Sequence, residues 1–337
     1  MAPSPLSTRP LYSKEQIHRF YDRISLPQKH RHDPGPSTNN IHNDKDASLA
    51  LLSALQRHFL ASVPFENLDL HYSPHHSISL DPAHLFDKIV LGADSHGHNR
   101  GRGGYCMENN QLLNTVLASL GFDVVSVGAR VNAAVGNPSA PADESSYSGW
   151  SHMVNLVTVP ARSGTKYQVD VGFGHGGPTA PIPLEHGIEV LNVAPKQMVR
   201  LRYDSIADNT STEQKLWIYE MRDGEGKEFR PCYCFGETVF LPADYAVMNL
   251  ATSQARTSWF TQAVVCVKFL LAEDDESIVG DVTLFERSVK RRVGGRSEKL
   301  MESESEEDRV LALERYLDVR LSEAQRNGIK GMVSAIK

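Results

Sequence analysis

Apolar residues recur at Ile17, Phe20, Tyr21 and Ile24, the three- and four-residue spacing of one helical face, with Ser13 placed to cap its start. The polar run PQKHRHDPGPSTNNIHNDKD that follows, rich in Pro, Asn and Asp, reads as a loop. A second amphipathic helix is predicted over 47–65, stopped by Pro64, whose ring removes a donor and blocks the preceding turn. SISLDPAHLFDKIVLG reads as a short strand leading into a helix, and CMENNQLLNTVLASLG as another helix closed by Gly121.

Beyond Gly121 the period changes. FDVVSVGARVNA, HMVNLVTVP, KYQVDVGFG, KQMVRLRYD and KLWIYEMRD are short runs rich in Val and aromatics, several of them alternating and bounded by Gly, Pro or Asn. That pattern predicts antiparallel strands. Helix and strand character mix across LPADYAVMNLATSQARTSWFTQAVVCVKFLL, GDVTLFERSVKRRVGG suggests a hairpin, and SEEDRVLALERYLDVRLS a helix opened by a serine and acids. We find no internal repeat. The expected organisation is an α+β multi-domain chain: a helical unit over 12–125, a strand-rich unit over 126–240 and an α/β unit over 241–337.

Composition narrows the class of function. The 337 residues are 40% hydrophobic and 23% charged, as in a soluble globular protein with real cores. A net charge of -6 argues against a nucleic-acid surface, and the one basic cluster, VKRRVGGR at 289–296, reads as a solvated hairpin. No apolar run approaches the ~20 residues that span a bilayer, and MAPSPLSTRPLYSKEQ lacks the layout of a secretory signal. The four cysteines, Cys106, Cys232, Cys234 and Cys266, make neither a disulfide framework nor zinc spacing, so a reducing, cytoplasmic setting is expected. The histidines of KHRHD, HYSPHH and SHGHNRG lie in polar loop-like segments, and no metal site is expected from them.

One stretch asks for a chemical explanation. GRGGYCMENN places Cys106 directly after two glycines and at the start of a helix, where the N-terminal dipole favours a thiolate. A nucleophilic cysteine needs a base and a group that holds the base. GWSHMVNLV offers His152 at the mouth of an apolar strand, and YQVDVGFG offers Asp170 inside a β run ending in glycines. The turn PARSGTK between them makes a hairpin that brings the two onto neighbouring strands. Asp170 amid such apolar neighbours is costly to bury without a partner.

RGGYCMENN, SVPFENLDLHY, SHMVNLV and YQVDVGFG closely resemble the arylamine N-acetyltransferase family, a resemblance that runs over nearly the whole chain. It implies an N-terminal helical bundle, a middle antiparallel β-barrel and a C-terminal α/β lid around a papain-like Cys-His-Asp core. It also implies Cys106 as nucleophile, His152 as base and Asp170 as orienting acid, working by ping-pong acyl transfer. Arg102 and Glu66 are implied as a pair supporting the cysteine loop, Phe65 and Phe173 as acceptor-facing residues, and Ser148, Gly149 and Thr257 as coenzyme contacts. The insertion VNAAVGNPSAPADESSYSG before His152, the acidic ESESEED and the C-terminal RNGIKGMVSAIK depart from the family pattern.

The implied reaction takes the acyl group of acetyl-CoA, the family default, or of malonyl-CoA, as co-substrate, with no permanently bound cofactor and no metal. A small aromatic amine or hydrazine accepts it, in keeping with xenobiotic detoxification by a monomer or weak homodimer. For a malonyl donor, Arg102 or Arg130 is the natural partner of the extra carboxylate. Trp150 and Phe173 offer flat walls for an arene. Two other classes share the same residues: a papain-like thiol amide hydrolase, although its CGSCW type of signature is absent, and a binding module in which Cys106 is structural.

Overall fold

In the computed structural model, which describes residues 9–35, 42–92, 100–135, 146–160 and 164–336, the first third is mainly helical. Helix α1 (Lys14–Arg23) opens with a reciprocal cap, in which the Ser13 hydroxyl accepts the Gln16 N–H and the Gln16 side chain accepts the Ser13 N–H. Its stripe of Ile17, Phe20 and Tyr21 is buried. Helix α2 (Lys45–Ser62) starts at the Asp44 cap and ends before Pro64, burying Leu51, Leu52, Leu55 and Phe59.

The strand expected from SISL does not form. Residues 77–80 pair with no neighbouring strand, and the Ile78 carbonyl is taken by the Asn249 side chain instead of a ladder. Asp81 then caps the short helix α3 (Pro82–Phe86), which widens into a π turn over Asp87–Leu91. Helix α4 (Cys106–Ser119) ends where Gly121 takes φ +88°, the left-handed conformation that closes helices.

An eight-stranded antiparallel sheet follows: β2 (Asp123–Asn132), β3 (Tyr147–Val159), β4 (Thr165–Val169), β5 (Ile182–Pro183), β6 (Glu189–Leu191), β7 (Gln197–Asp204), β8 (Leu216–Asp223) and β9 (Arg230–Val239). Its order is β5-β4-β3-β2-β9-β8-β7-β6, and it curls into a nearly closed barrel in which β5 comes near β7. Strand β9, which the hydrophobic pattern did not single out, lies centrally between β2 and β8. Val127, Val154, Leu201, Tyr219, Tyr233 and Phe235 fill the barrel interior.

The remaining sheet has the order β1-β10-β11-β12-β13, with β1 Phe65–Glu66, β10 Val265–Leu271, β11 Ile278–Phe285, β12 Ser288–Val293 and β13 Arg296–Glu302. The helical reading of 12–125 therefore misses one element. Phe65 and Glu66 leave the helical segment to pair with Val267 and Cys266 as an edge strand of the C-terminal sheet. The VKRRVGGR cluster is the β12–β13 hairpin, turning at Gly294 and Gly295. Helix α5 (Pro242–Gln254) connects the barrel to this sheet, and α6 (Glu306–Leu317) and α7 (Glu323–Gly328) follow it.

A separate apolar cluster joins these parts. Phe65, Cys106, Met153, Tyr245 and Val265 belong to it, and they come from every third of the chain. Burying a large apolar side chain is worth roughly 1.5–3 kcal/mol, so this junction stabilises the relative placement of helix, barrel and second sheet. Among the described residues, no helix is long and apolar enough to cross a membrane.

Candidate active site

The RGG turn is shaped by close approach. A Cβ on Gly103 would stand 1.9 Å from the Pro64 carbonyl oxygen, so only glycine lets the loop pass. The Gly104 carbonyl accepts the Glu66 N–H at 3.0 Å, tying the loop to β1. Glu108 then accepts the Tyr105 N–H at 3.0 Å and starts α4, whose first residue is Cys106. The thiol is 3% exposed and lies 3.6 Å from the Ser151 carbonyl oxygen.

Beneath the loop lies a buried ionic network. Arg102 donates to Glu66 at 2.9 Å and to Asp69 at 2.7 Å, and Lys88 reaches Asp69 at 2.6 Å and Glu108 at 2.7 Å. Glu66 also accepts the Gly103 N–H at 3.3 Å and the Leu68 N–H at 2.6 Å. Burial pushes the Glu108 carboxyl up to about 7, with Asp69 and Glu66 adding to the rise and Lys88 opposing it. The Arg102–Glu66 pair implied by the family resemblance is present geometrically. Lys88, Asp69 and Glu108 join it, which the sequence did not indicate.

His152 faces the thiol from β3, opposite Ala129 of β2. Its Nε2 lies 2.8 Å from Asp170 Oδ2, and the Cys106 side chain is close enough to favour the ring's cation. Asp170 does not sit inside a strand, as the run YQVDVGFG suggested. The last β3–β4 pair is Asn155 with Val169, so Asp170 is the first residue past β4 and meets His152 from the strand end.

Four donors converge on the Asp170 carboxylate. His152 Nε2 and the Tyr233 hydroxyl, at 2.9 Å, reach Oδ2, while Asn110 Nδ2 and the Gly172 N–H, each at 2.8 Å, reach Oδ1. Burial raises the cost of this charge, but the His152 imidazolium and these donors outweigh it and hold Asp170 below the usual carboxylate range. Burial likewise disfavours the His152 imidazolium. Asp170, with help from Cys106, overrides that cost and lifts the group to about 10. The arrangement is a thiol, an imidazole held as its cation, and a carboxylate, all buried.

Sequence reasoning missed Asn110 and Tyr233. Asn110 lies four residues after Cys106 on the same face of α4, a spacing that could have signalled it. It also donates to the Met153 carbonyl at 2.7 Å and accepts the Val171 N–H at 3.0 Å. Tyr233 comes from β9 and also takes a bond from the Gln168 side chain.

Gly172 packs directly on the nucleophile, since a Cβ there would lie 2.6 Å from the Cys106 Cα. This places Phe173 with its ring centroid 5.3 Å from that of His152, and Gly174 beside the Phe65 ring. Phe65 meets Phe260 edge-on, completing an aromatic wall. Trp150 is on the rim, 38% exposed, against Phe240. Ser148 and Gly149 are exposed on the same rim, where the Ser148 and Ser151 hydroxyls bond at 2.7 Å. Thr257 is exposed on the turn after α5. The structure thus gathers the thiol, imidazole, carboxylate, Phe65 and Phe173 and sets Ser148 and Gly149 at their edge.

The other cysteines are buried thiols; burial pushes Cys232 up to about 12 and Cys266 well above its usual value. Among the described residues, no three His, Cys, Asp or Glu side chains are grouped to hold a metal. Residues 93–99 of the expected His-rich loop and 136–145 of the insertion lie outside the described residues.

Comparison with known proteins gives consistent matches. The family model described as N-acetyltransferase matches residues 48–326. N-malonyltransferase FDB2 of Fusarium pseudograminearum is 38% identical over 331 residues, 95% of this chain and 93% of the relative. Its namesake from Gibberella moniliformis is 38% identical over 335 residues, 96% of this chain and 93% of the relative. The structure of Mycobacterium marinum arylamine N-acetyltransferase in complex with CoA superposes with a TM-score of 0.70 at 25% identity, covering 95% of this chain and 99% of that one.

Proposed function

This chain belongs to the arylamine N-acetyltransferase family and is an acyltransferase, and from that premise we propose that it carries an acyl group from coenzyme A to an aromatic amine on Cys106. The observation that supports this most is the His152 ring, bonded to Asp170 and raised to about 10 with the Cys106 side chain contributing. An imidazolium beside a cysteine stabilises the thiolate, which is the nucleophile.

The first half-reaction uses that ion pair. The Cys106 thiolate attacks the thioester carbon, the carbon–sulfur bond to coenzyme A breaks, and the His152 proton passes to the departing thiolate. This leaves an acyl-cysteine and a neutral imidazole. In the second half-reaction the amine attacks the acyl carbon, a carbon–nitrogen bond forms, and the bond to Cys106 breaks. His152 takes the proton released from nitrogen, which restores the thiolate–imidazolium pair. Asp170 keeps its charge throughout and fixes the ring that moves the proton. The backbone N–H groups at the start of α4, which lack partners within the helix, are the donors nearest Cys106 for the developing oxyanion.

The phenyl rings of Phe65, Phe173 and Phe260 give the acceptor side an apolar, flat lining suited to an arylamine. For the donor, the two relatives at 38% identity are named N-malonyltransferases, against 25% for the N-acetyltransferase structure, and malonyl-CoA is the donor we assign ahead of acetyl-CoA. The reading is tested by steady-state kinetics with malonyl-CoA and an arylamine. Parallel double-reciprocal lines and an N-malonyl product support it. Release of free malonate at the same rate without amine would instead mark a thioester hydrolase.

A further inference from the structure

A malonyl donor brings a difficulty that an acetyl donor does not. Its free carboxylate lies two bonds beyond the thioester carbon, so it must settle close to Cys106. In the ion pair proposed above, the Cys106 thiolate and the Asp170 carboxylate stand there against one imidazolium, a net charge of about −1. A further anion in such a buried place is strongly disfavoured unless a cation meets it.

The nearest cations by sequence are already spent. Arg102 is 3% exposed and paired with both Glu66 and Asp69. Lys88 is paired with Asp69 and Glu108. Neither can turn to a ligand without stranding buried carboxylates.

Arg130 is different. It lies on β2 one residue beyond Ala129, the partner of His152, and is itself paired with Trp150. A bulge at this point of the ladder sets Arg130 and Trp150 together on the side of Phe240, which packs with the apolar cluster around Cys106. The guanidinium stacks 4.0 Å above the Trp150 ring, and one arm donates to the Ser148 carbonyl at 3.3 Å. Among the described residues no carboxylate pairs with it. It is half-buried, so its charge is only partly screened. The stack fixes the plane of the fork, while most of its donors remain open, the geometry in which arginine grips a carboxylate by two parallel bonds. From Ser148 the path to sulfur is short: Ser148 bonds Ser151, whose carbonyl is 3.6 Å from the thiol.

We propose that Arg130, held by Trp150, binds the free carboxylate of a malonyl donor and selects it over acetyl. This rests on the acyl-cysteine reading and adds the residue that reads the acyl group. Arg130 is a specificity residue here and takes no part in bond making.

The test is the rate of single acylation of Cys106, followed by intact mass, with malonyl-CoA and with acetyl-CoA on separate samples of the full chain. Wild type, Arg130→Gln and Arg130→Lys are compared after thermal unfolding shows that each is folded. A charged hydrogen-bonded pair of this kind is worth about ten- to hundredfold in rate. The malonyl-to-acetyl rate ratio is expected to fall by that factor in Arg130→Gln and to recover in part in Arg130→Lys, which keeps the charge but not the fork. An unchanged ratio overturns the proposal. Equal loss with both donors also overturns it, because it places Arg130 on the coenzyme that both share. A wild type that takes acetyl but no malonyl overturns the donor assignment itself, and one that takes neither overturns acyl transfer through Cys106.

Discussion

Asn110 donates its side-chain N–H to Asp170 Oδ1 at 2.8 Å, one helical turn beyond Cys106. The helix that presents the nucleophile therefore also holds the carboxylate that orients the base. Because Asn110 further binds the Met153 carbonyl and the Val171 N–H, α4, β3 and the loop after β4 are locked at one point. Asn110→Ala takes one of four donors from Asp170, a donor from the Met153 carbonyl and an acceptor from the Val171 N–H, and a buried polar group left unpaired costs ~1–3 kcal/mol. The expected outcome is a clearly lower unfolding temperature together with slower acylation of Cys106. Unaltered acylation in a folded variant would show that Asp170 needs no such support.

Tyr233 offers a cleaner probe of the same carboxylate. Tyr233→Phe keeps the ring packed against Tyr219 and removes the hydroxyl that donates to Asp170 Oδ2 at 2.9 Å and accepts from the Gln168 side chain. The variant is expected to fold and to lose roughly tenfold or more in acylation rate, the scale of a hydrogen bond to a charge. Stopped-flow release of coenzyme A reads this directly, and a rate equal to wild type would contradict the role.

The ionic network under the RGG loop predicts a stability effect of a different size. Arg102→Ala leaves the buried Glu66, Asp69 and Glu108 against a single Lys88. Removing one partner of a buried pair costs about 3–5 kcal/mol. Denaturant unfolding should show a midpoint shift of that order. A loss under ~1 kcal/mol would mean that the network relaxes or takes in water.

Gly172 separates packing from chemistry. Its missing Cβ would fall 2.6 Å from the Cys106 Cα and 2.7 Å from Asn110 Nδ2, backbone and a fixed side chain that cannot yield cheaply. Gly172→Ala is expected to displace the loop from α4, lowering both acylation and thermal stability. Wild-type behaviour in both would show that the loop can retreat without cost.

The raised value of His152 fixes a pH dependence. Its imidazolium persists to about 10 in the folded chain against an ordinary value near 6.5, so it contributes stability that is complete below about 6.5 and is lost as pH rises through about 10. Asp170, held below its usual range, contributes stability present above about 4 and lost in acid. The gap in unfolding temperature between wild type and His152→Asn should therefore narrow steadily from pH 6.5 to 10. A gap that widens over this range has the wrong sign for the ion pair.

The α-helices were legible because their apolar spacing is local: Ile17, Phe20 and Tyr21 declare one face without reference to the rest of the chain. The same holds for the hairpin that carries His152 and precedes Asp170. What the sequence concealed depends on partners far along the chain. Strand β9 reads poorly in RPCYCFGETV, where Pro and Gly interrupt the alternation, yet it supplies Tyr233. Phe65 and Glu66 become a strand only because Val267 and Cys266 come alongside. SISL carries an alternating pattern but finds no edge to join. Lys88 and Asp69 look like ordinary polar residues until the turn at Arg102 folds over them.

The central claim is a covalent one, and intact mass tests it most directly. Brief incubation of the purified chain with malonyl-CoA, no amine present, should add a single malonyl group to the wild type and none to Cys106→Ser, and later addition of an arylamine should remove it. An adduct that persists in Cys106→Ser would contradict the account, as would a folded wild type that takes up neither malonyl nor acetyl.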